Sequence, residues 1–144
     1  MYKILASFVV SFVLNNDYLF TMKIEVSNGE LIDKITILEI KLERIHDQEK
    51  VCNIRQEFEA LNPLAQPLIG QIGTLYHDLA RVNRKLWDIE DNIRDFERKA
   101  DFGPGFIEAA RMVYRLNDER SAIKKKINQA TNSDLYEEKS YSAY

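Results

Sequence analysis

The chain has 144 residues and a formal net charge of -3 at pH 7; 45% of its residues are hydrophobic and 30% charged, enough for one buried core. Basic and acidic residues are interleaved and the one tight basic run is Lys124 to Lys126, which argues against a nucleic-acid partner. Cys52 stands alone and His46 and His77 are isolated, so there is no internal disulfide, no metal site of ordinary spacing is expected, and a reducing, cytoplasmic setting fits.

Residues 1–21 differ from the rest. Lys3, the apolar run from Ile4 to Leu14 and then Asn15, Asn16 and Asp17 imitate a signal peptide, but the run is too short to span a bilayer and no small-residue cleavage pattern precedes Met22. The favoured reading makes 1–21 a non-native upstream extension, a signal-like segment being the alternative, and 22–144 a single helical domain that does not engage a membrane. Lys23 to Ser27 then alternates Ile24 and Val26 with polar residues, a short extended lead-in.

Ser27 or Asn28 can cap a first helix that begins near Glu30. Leu31, Ile35, Leu38, Leu42 and Ile45 form its main stripe, while Ile37 and Ile40 lie roughly opposite. Two apolar faces require two partners, so Ile37 and Ile40 are expected to meet a symmetry mate or the second helix, and a homodimer is expected. That second helix runs from about Asp47 to Leu61 and stops at Asn62-Pro63; Pro67, Gly70 and Gly73 predict an irregular stretch after it.

From about Gln71 to Lys99, Ile72, Leu75, Leu79, Val82, Leu86, Ile89, Ile93 and Phe96 recur in alternating steps of 3 and 4, a bundle-type helix. Asp101 to Gly105 is a tight stop and restart, with Pro104 at a favoured first helical position. A fourth helix follows from Pro104 to Thr131 on Phe106, Ala109, Val113, Leu116, Ile123, Ile127 and Ala130, and beyond it the chain is an irregular C-terminal tail. The fold expected is an all-α antiparallel helical bundle built on the long helical hairpin of helices three and four, closed by helix one and braced by helix two.

Arg120 breaks this pattern, because it fills the slot between Leu116 and Ile123 on the inward stripe. Asn117 and Lys124 lie within about 60° of it on the same helix. Helix three carries a second stripe of Ala80, Asn83, Trp87, Glu90 and Arg94, in which Trp87 is expected to widen the buried face and carry Asn83 and Glu90 inward. Equal rise on both arms of the hairpin places Trp87 near Asn117 and Asn83 near Arg120. Glu90 is expected to pair with Arg120, Glu39 of helix one to reach the same layer, and Asp91 and Asp118 to close its solvent edge.

Two amides, several cations and one or two carboxylates around a tryptophan suit a small polar ligand with an anionic group. The competing reading is a buried network that fixes helix register and nothing more. No Ser-His-Asp or Cys-His arrangement and no glycine-rich phosphate loop is present, and the carboxylates are not grouped on one face as a Mg²⁺ site needs. Chorismate-mutase-like bundles stabilise charge with arginines, a lysine and a glutamate and no metal, so a cofactor-free enzyme with Glu90 or Glu39 as acid–base is a third reading.

The stretches Gly29 to Lys41, Val82 to Asp91, Tyr114 to Arg120 and Glu137 to Tyr141 resemble those of a family of small bacterial and phage proteins known as a domain of unknown function, over Ser27 to Tyr141. A second uncharacterised helical family is similar in the segments around Asn83, Trp87, Glu90 and Asp91 and around Asn117, Asp118 and Arg120 alone. Such families are associated with glycan-assembly genes, so the resemblance implies a role in surface polysaccharide metabolism and a sugar-linked ligand. It implies no activity.

The reading of residues 1–21 has a direct check. A chain starting at Met22 is expected to unfold cooperatively and within a few degrees of the full-length chain, as thermal denaturation would measure. Loss of the cooperative transition would show that the upstream segment is part of the fold.

Overall fold

The computed structural model describes residues 24–140, so the reading of residues 1–21 lies outside it. Four helices follow in order: α1 (Asn28–Arg44), α2 (Gln48–Ile72), α3 (Leu75–Arg98) and α4 (Pro104–Ala130). No strand occurs among the described residues, and none of their helices is long and apolar enough to cross a membrane. Lys34 of α1 meets Glu57 of α2 at 2.8 Å and Arg81 of α3 meets Glu119 of α4 at 3.0 Å, so α1 with α2 and α3 with α4 form two antiparallel hairpins. The all-α bundle is as expected.

Local chemistry sets the helix ends. The Ser27 hydroxyl accepts the Glu30 amide at 3.2 Å, and the Asp47 carboxylate accepts that of Lys50 at 2.9 Å. Gly73, at a φ of 53°, turns the chain out of α2. Before α4, Asp101 accepts the Gly103 amide at 3.0 Å and Pro104 starts the helix. Phe96 and Phe102 each pack edge-on against Phe106, which pins the hairpin tip.

The hairpin of α3 and α4 does not centre the core alone. α1 packs against all three other helices, and its buried residues Gly29, Ile32, Asp33, Ile35, Thr36, Leu38 and Ile40 cover an arc of roughly 220° at 3.6 residues per turn. Ile32 and Ile35 join Leu79, Val82, Leu86, Leu116, Ile123 and Ile127 in one apolar cluster. Ile40 is only 1% exposed and Ile37 half-buried in the single chain, so most of the face opposite the main stripe is covered without a symmetry mate.

Helix two is not the short brace that its prolines suggested. α2 continues through Asn62-Pro63, Pro67 and Gly70 to Ile72. Both prolines lie four residues apart on the solvent side, where water can satisfy the carbonyls that lose an amide partner. On the opposite side Ile54, Phe58, Leu61, Ala65, Leu68 and Ile72 are buried or half-buried, and that burial overrides the intrinsic preference. α3 accordingly starts at Leu75, later than the periodicity placed it.

The prolines therefore hold α2 below its possible stability. Pro63→Ala and Pro67→Ala are each expected to raise stability by about 1–2 kcal/mol, the helix-interior cost of proline less its restriction of the unfolded chain. Chemical denaturation measures this. A loss of stability in both would mean that a proline-induced bend is needed for packing on α1.

Candidate functional site

The site grows from the side of α1 that begins at Glu30 and Asp33. Asp33 is 1% exposed, and an aspartate so deeply placed needs full compensation. Arg120 of α4 supplies it: Nε donates to both carboxylate oxygens at 3.1 Å and Nη2 to Oδ2 at 2.8 Å. From α3, the Asn83 amide donates to Asp33 Oδ1 at 2.8 Å and to Thr36 Oγ1 at 2.9 Å. The Thr36 hydroxyl donates in turn to the Asp33 carbonyl at 2.8 Å. One carboxylate thus joins three helices.

About one turn nearer the start of α1, Lys124 Nζ lies 2.5 Å from Glu30 and 3.0 Å from Glu137 of the tail. Burial works against the ammonium, but hydrogen bonds to Glu30 and Glu137 outweigh it and raise the Lys124 pKa. The Lys124 hydrogen bond holds the Glu137 carboxyl below its ordinary value against desolvation, helped by the charges of Lys124, Lys139 and Arg120.

The first amides of α1 are capped from the far end of α4. The Gly29 amide donates to Asn128 Oδ1 at 2.6 Å and the Asn28 amide to Ser133 Oγ at 3.0 Å. A Cβ on Gly29 would lie 2.6 Å from the Lys124 carbonyl oxygen, so the two backbones approach too closely for any other residue.

Of the residues selected from sequence, Asn83, Asn117, Arg120 and Lys124 come together on this seam. Asn117 donates to the Val113 carbonyl at 3.0 Å and accepts from Arg120 Nη1 at 3.4 Å. The others lie elsewhere. Glu90 and Asp91 are exposed and face Arg94 of their own helix, at 3.7 Å and 3.8 Å. The reason is length: α1 ends where Arg44 meets Asp88, so no third helix covers α3 at Glu90. Trp87 is half-buried with the Arg44 guanidinium 6.0 Å over its ring, which places it beside the end of α1 and not in the seam. Glu39 faces Tyr76, whose phenol is pushed up by burial and then by this carboxylate. Asp118 lines a cleft between α4 and the tail.

Asp33, Thr36, Glu30, Asn128 and Glu137 were not selected. A signal for two of them was present: Glu30, Asp33, Ile37 and Ile40 follow helical spacing, so the second apolar face of helix one opens with two acids at its start. Nothing in the periodicity of the tail marks Glu137, whose role depends on the chain folding back after Ser133.

Residues 22–144 match a family described as a family of unknown function, DUF6165, and the chain belongs to that family. No curated protein and no solved structure gives a match.

The geometry makes Asp33, and not Glu90, the partner of Arg120. Arg120→Met strands a buried carboxylate and is expected to cost about 3–5 kcal/mol, most of it recovered when Asp33→Asn is added. Urea denaturation of the single and double variants reads this out. An unchanged stability in Arg120→Met would mean that the pair contributes nothing to holding α1 in place.

Proposed function

We propose that this protein is a binding module for a small anionic or sugar-linked molecule, recognised at the seam of α1 and α4. The observation that carries the reading is the state of Arg120. Its Nε and Nη2 are committed to Asp33, yet the side chain is 29% exposed, and Nη1 has only a long contact of 3.4 Å to Asn117. One edge of a guanidinium fixed from behind by a buried carboxylate is therefore available to a carboxylate or phosphate. The tail and α4 also border an open cleft of about 240 Å³, which shares Glu137 with the seam and is lined besides by Asp118, Ser121, Ala122, Lys125, Glu138 and Lys139. That is smaller than the usual small-molecule pocket and suits a single sugar or acid group.

A cytoplasmic homodimer acting in surface-glycan metabolism belongs to the same proposal. The solitary, exposed Cys52 thiol fits the compartment, and exposed Phe102 and Ile107 at the hairpin tip offer apolar surface for assembly. The metal-independent enzyme loses support, because neither Glu90 nor Glu39 stands beside Arg120. A purely structural role keeps one observation in its favour: among the described residues, every buried side-chain polar atom has a hydrogen-bond partner.

Thermal-shift screening against nucleotide sugars, phosphosugars and chorismate-like acids separates these two. A ligand present at a hundredfold its Kd stabilises by about 2.7 kcal/mol, a rise in melting temperature of several degrees for a chain of this size. Arg120→Lys retains a cation for Asp33 but removes the exposed edge, and is expected to abolish the shift. No shift with any of these compounds would leave the structural role.

A further inference from the structure

We propose that residues 133–140 form a releasable strap whose Glu137 carboxylate occupies, on Lys124, the position that the anionic group of a ligand takes when it binds. This rests on the anion-binding reading above and adds a gate to it. The strap begins at a firm hinge. Asn132, at a φ of 48°, reverses the chain, the Ser133 amide donates to the Asn128 carbonyl at 2.9 Å, and Ser133 is 7% exposed. Its hydroxyl accepts the Asn28 amide at 3.0 Å and donates to the Leu135 carbonyl at 2.9 Å.

Beyond the hinge the character changes. Leu135 and Tyr136 are 43% and 45% exposed and the Tyr136 hydroxyl donates to the Asn128 carbonyl only at 3.5 Å, so no fully buried apolar side chain anchors the segment. Charge contacts add to that partial packing: Glu137 reaches Lys124 at 3.0 Å, and Glu138 reaches Lys125 at 3.6 Å. Exposed ion pairs of this kind are weak and screened by salt. Lys124 is different, because its side chain is 8% exposed and held on the other side by Glu30. The groups facing Glu137 are Lys124 and Arg120 from α4 and Lys139 from the strap, with Glu30 of α1 sharing the same ammonium. Lifting the strap exposes an ammonium beside the open edge of Arg120, and a ligand phosphate or carboxylate can close it again. Strap and ligand compete for one cation.

The test uses the full chain with inorganic phosphate as the probe, at ionic strength held constant with chloride. Calorimetry is expected to show Glu137→Gln binding phosphate at least tenfold more tightly than the unaltered chain. Hydrogen exchange of the 134–139 amides is expected to speed up when phosphate is added to the unaltered chain, and to be fast without phosphate in Lys124→Met. Equal phosphate affinity in the two chains, with strap exchange unchanged by phosphate, overturns the strap and leaves the anion site standing. Absence of phosphate binding in both chains overturns the competition and counts against the anion site itself, whatever the exchange shows.

Discussion

A buried carboxylate sets the arrangement of this bundle. Asp33 lies on the helix that touches all the others, and its charge is met by Arg120 of α4 and by the Asn83 amide of α3. Apolar stripes alone leave helices freer to slide by a turn or two, because one leucine contact replaces another while the stripe still faces the core. A carboxylate that needs a guanidinium and an amide at the same point permits no such slide, since every displaced register strands it. Two further devices act along the same line: Lys124 against Glu30, and the approach of Gly29 to the Lys124 backbone. α1 is thereby held against α4 at successive turns.

The helices themselves were legible in the sequence because period and punctuation agreed. The run from Leu75 to Phe96 and the Asp-Phe-Gly-Pro-Gly turn admit one reading, and the hairpin follows from them. The end of helix two was misread because Pro63 and Pro67 act locally, whereas the apolar side of α2 acts through its packing on the rest of the core, which sequence does not display. The site was half legible. Arg120 and Asn83 stand out as polar residues on apolar stripes, and the hairpin register brought them to one level. Their common partner sits on a helix whose azimuth relative to the hairpin no periodicity reveals, so Glu90, the carboxylate on the same stripe of α3 as Asn83, was taken in place of Asp33.

The overhang of the hairpin explains why the site lies at one end. α1 has 17 residues against 24 in α3 and 27 in α4. At 1.5 Å per residue the hairpin arms outrun α1 by roughly 10–15 Å. Glu90, Asp91 and Arg94 fall on the uncovered part, where water solvates their charges. The covered part is where a charge must find a protein partner, so the polar seam and the shielding by α1 have the same origin. The free tip carries exposed Phe102 and Ile107.

Charge balance at the polar seam then limits how an anion can enter it. Three carboxylates, Glu30, Asp33 and Glu137, face three cations, Arg120, Lys124 and Lys139, so the cluster is balanced and holds no surplus positive charge. An added anion would leave the cluster with excess negative charge unless a carboxylate left or became protonated. Asp33 cannot leave, being buried and held by four hydrogen-bond contacts from two other helices. Glu30 is fixed in the first turn of α1, whose position the rest of the seam depends on. Glu137 alone is carried by an irregular segment with no fully buried apolar side chain beyond its hinge. Of the two carboxylates on Lys124, Glu137 is therefore the one with the least structural work to do, and exchange there costs the fold less than exchange at Glu30 or Asp33.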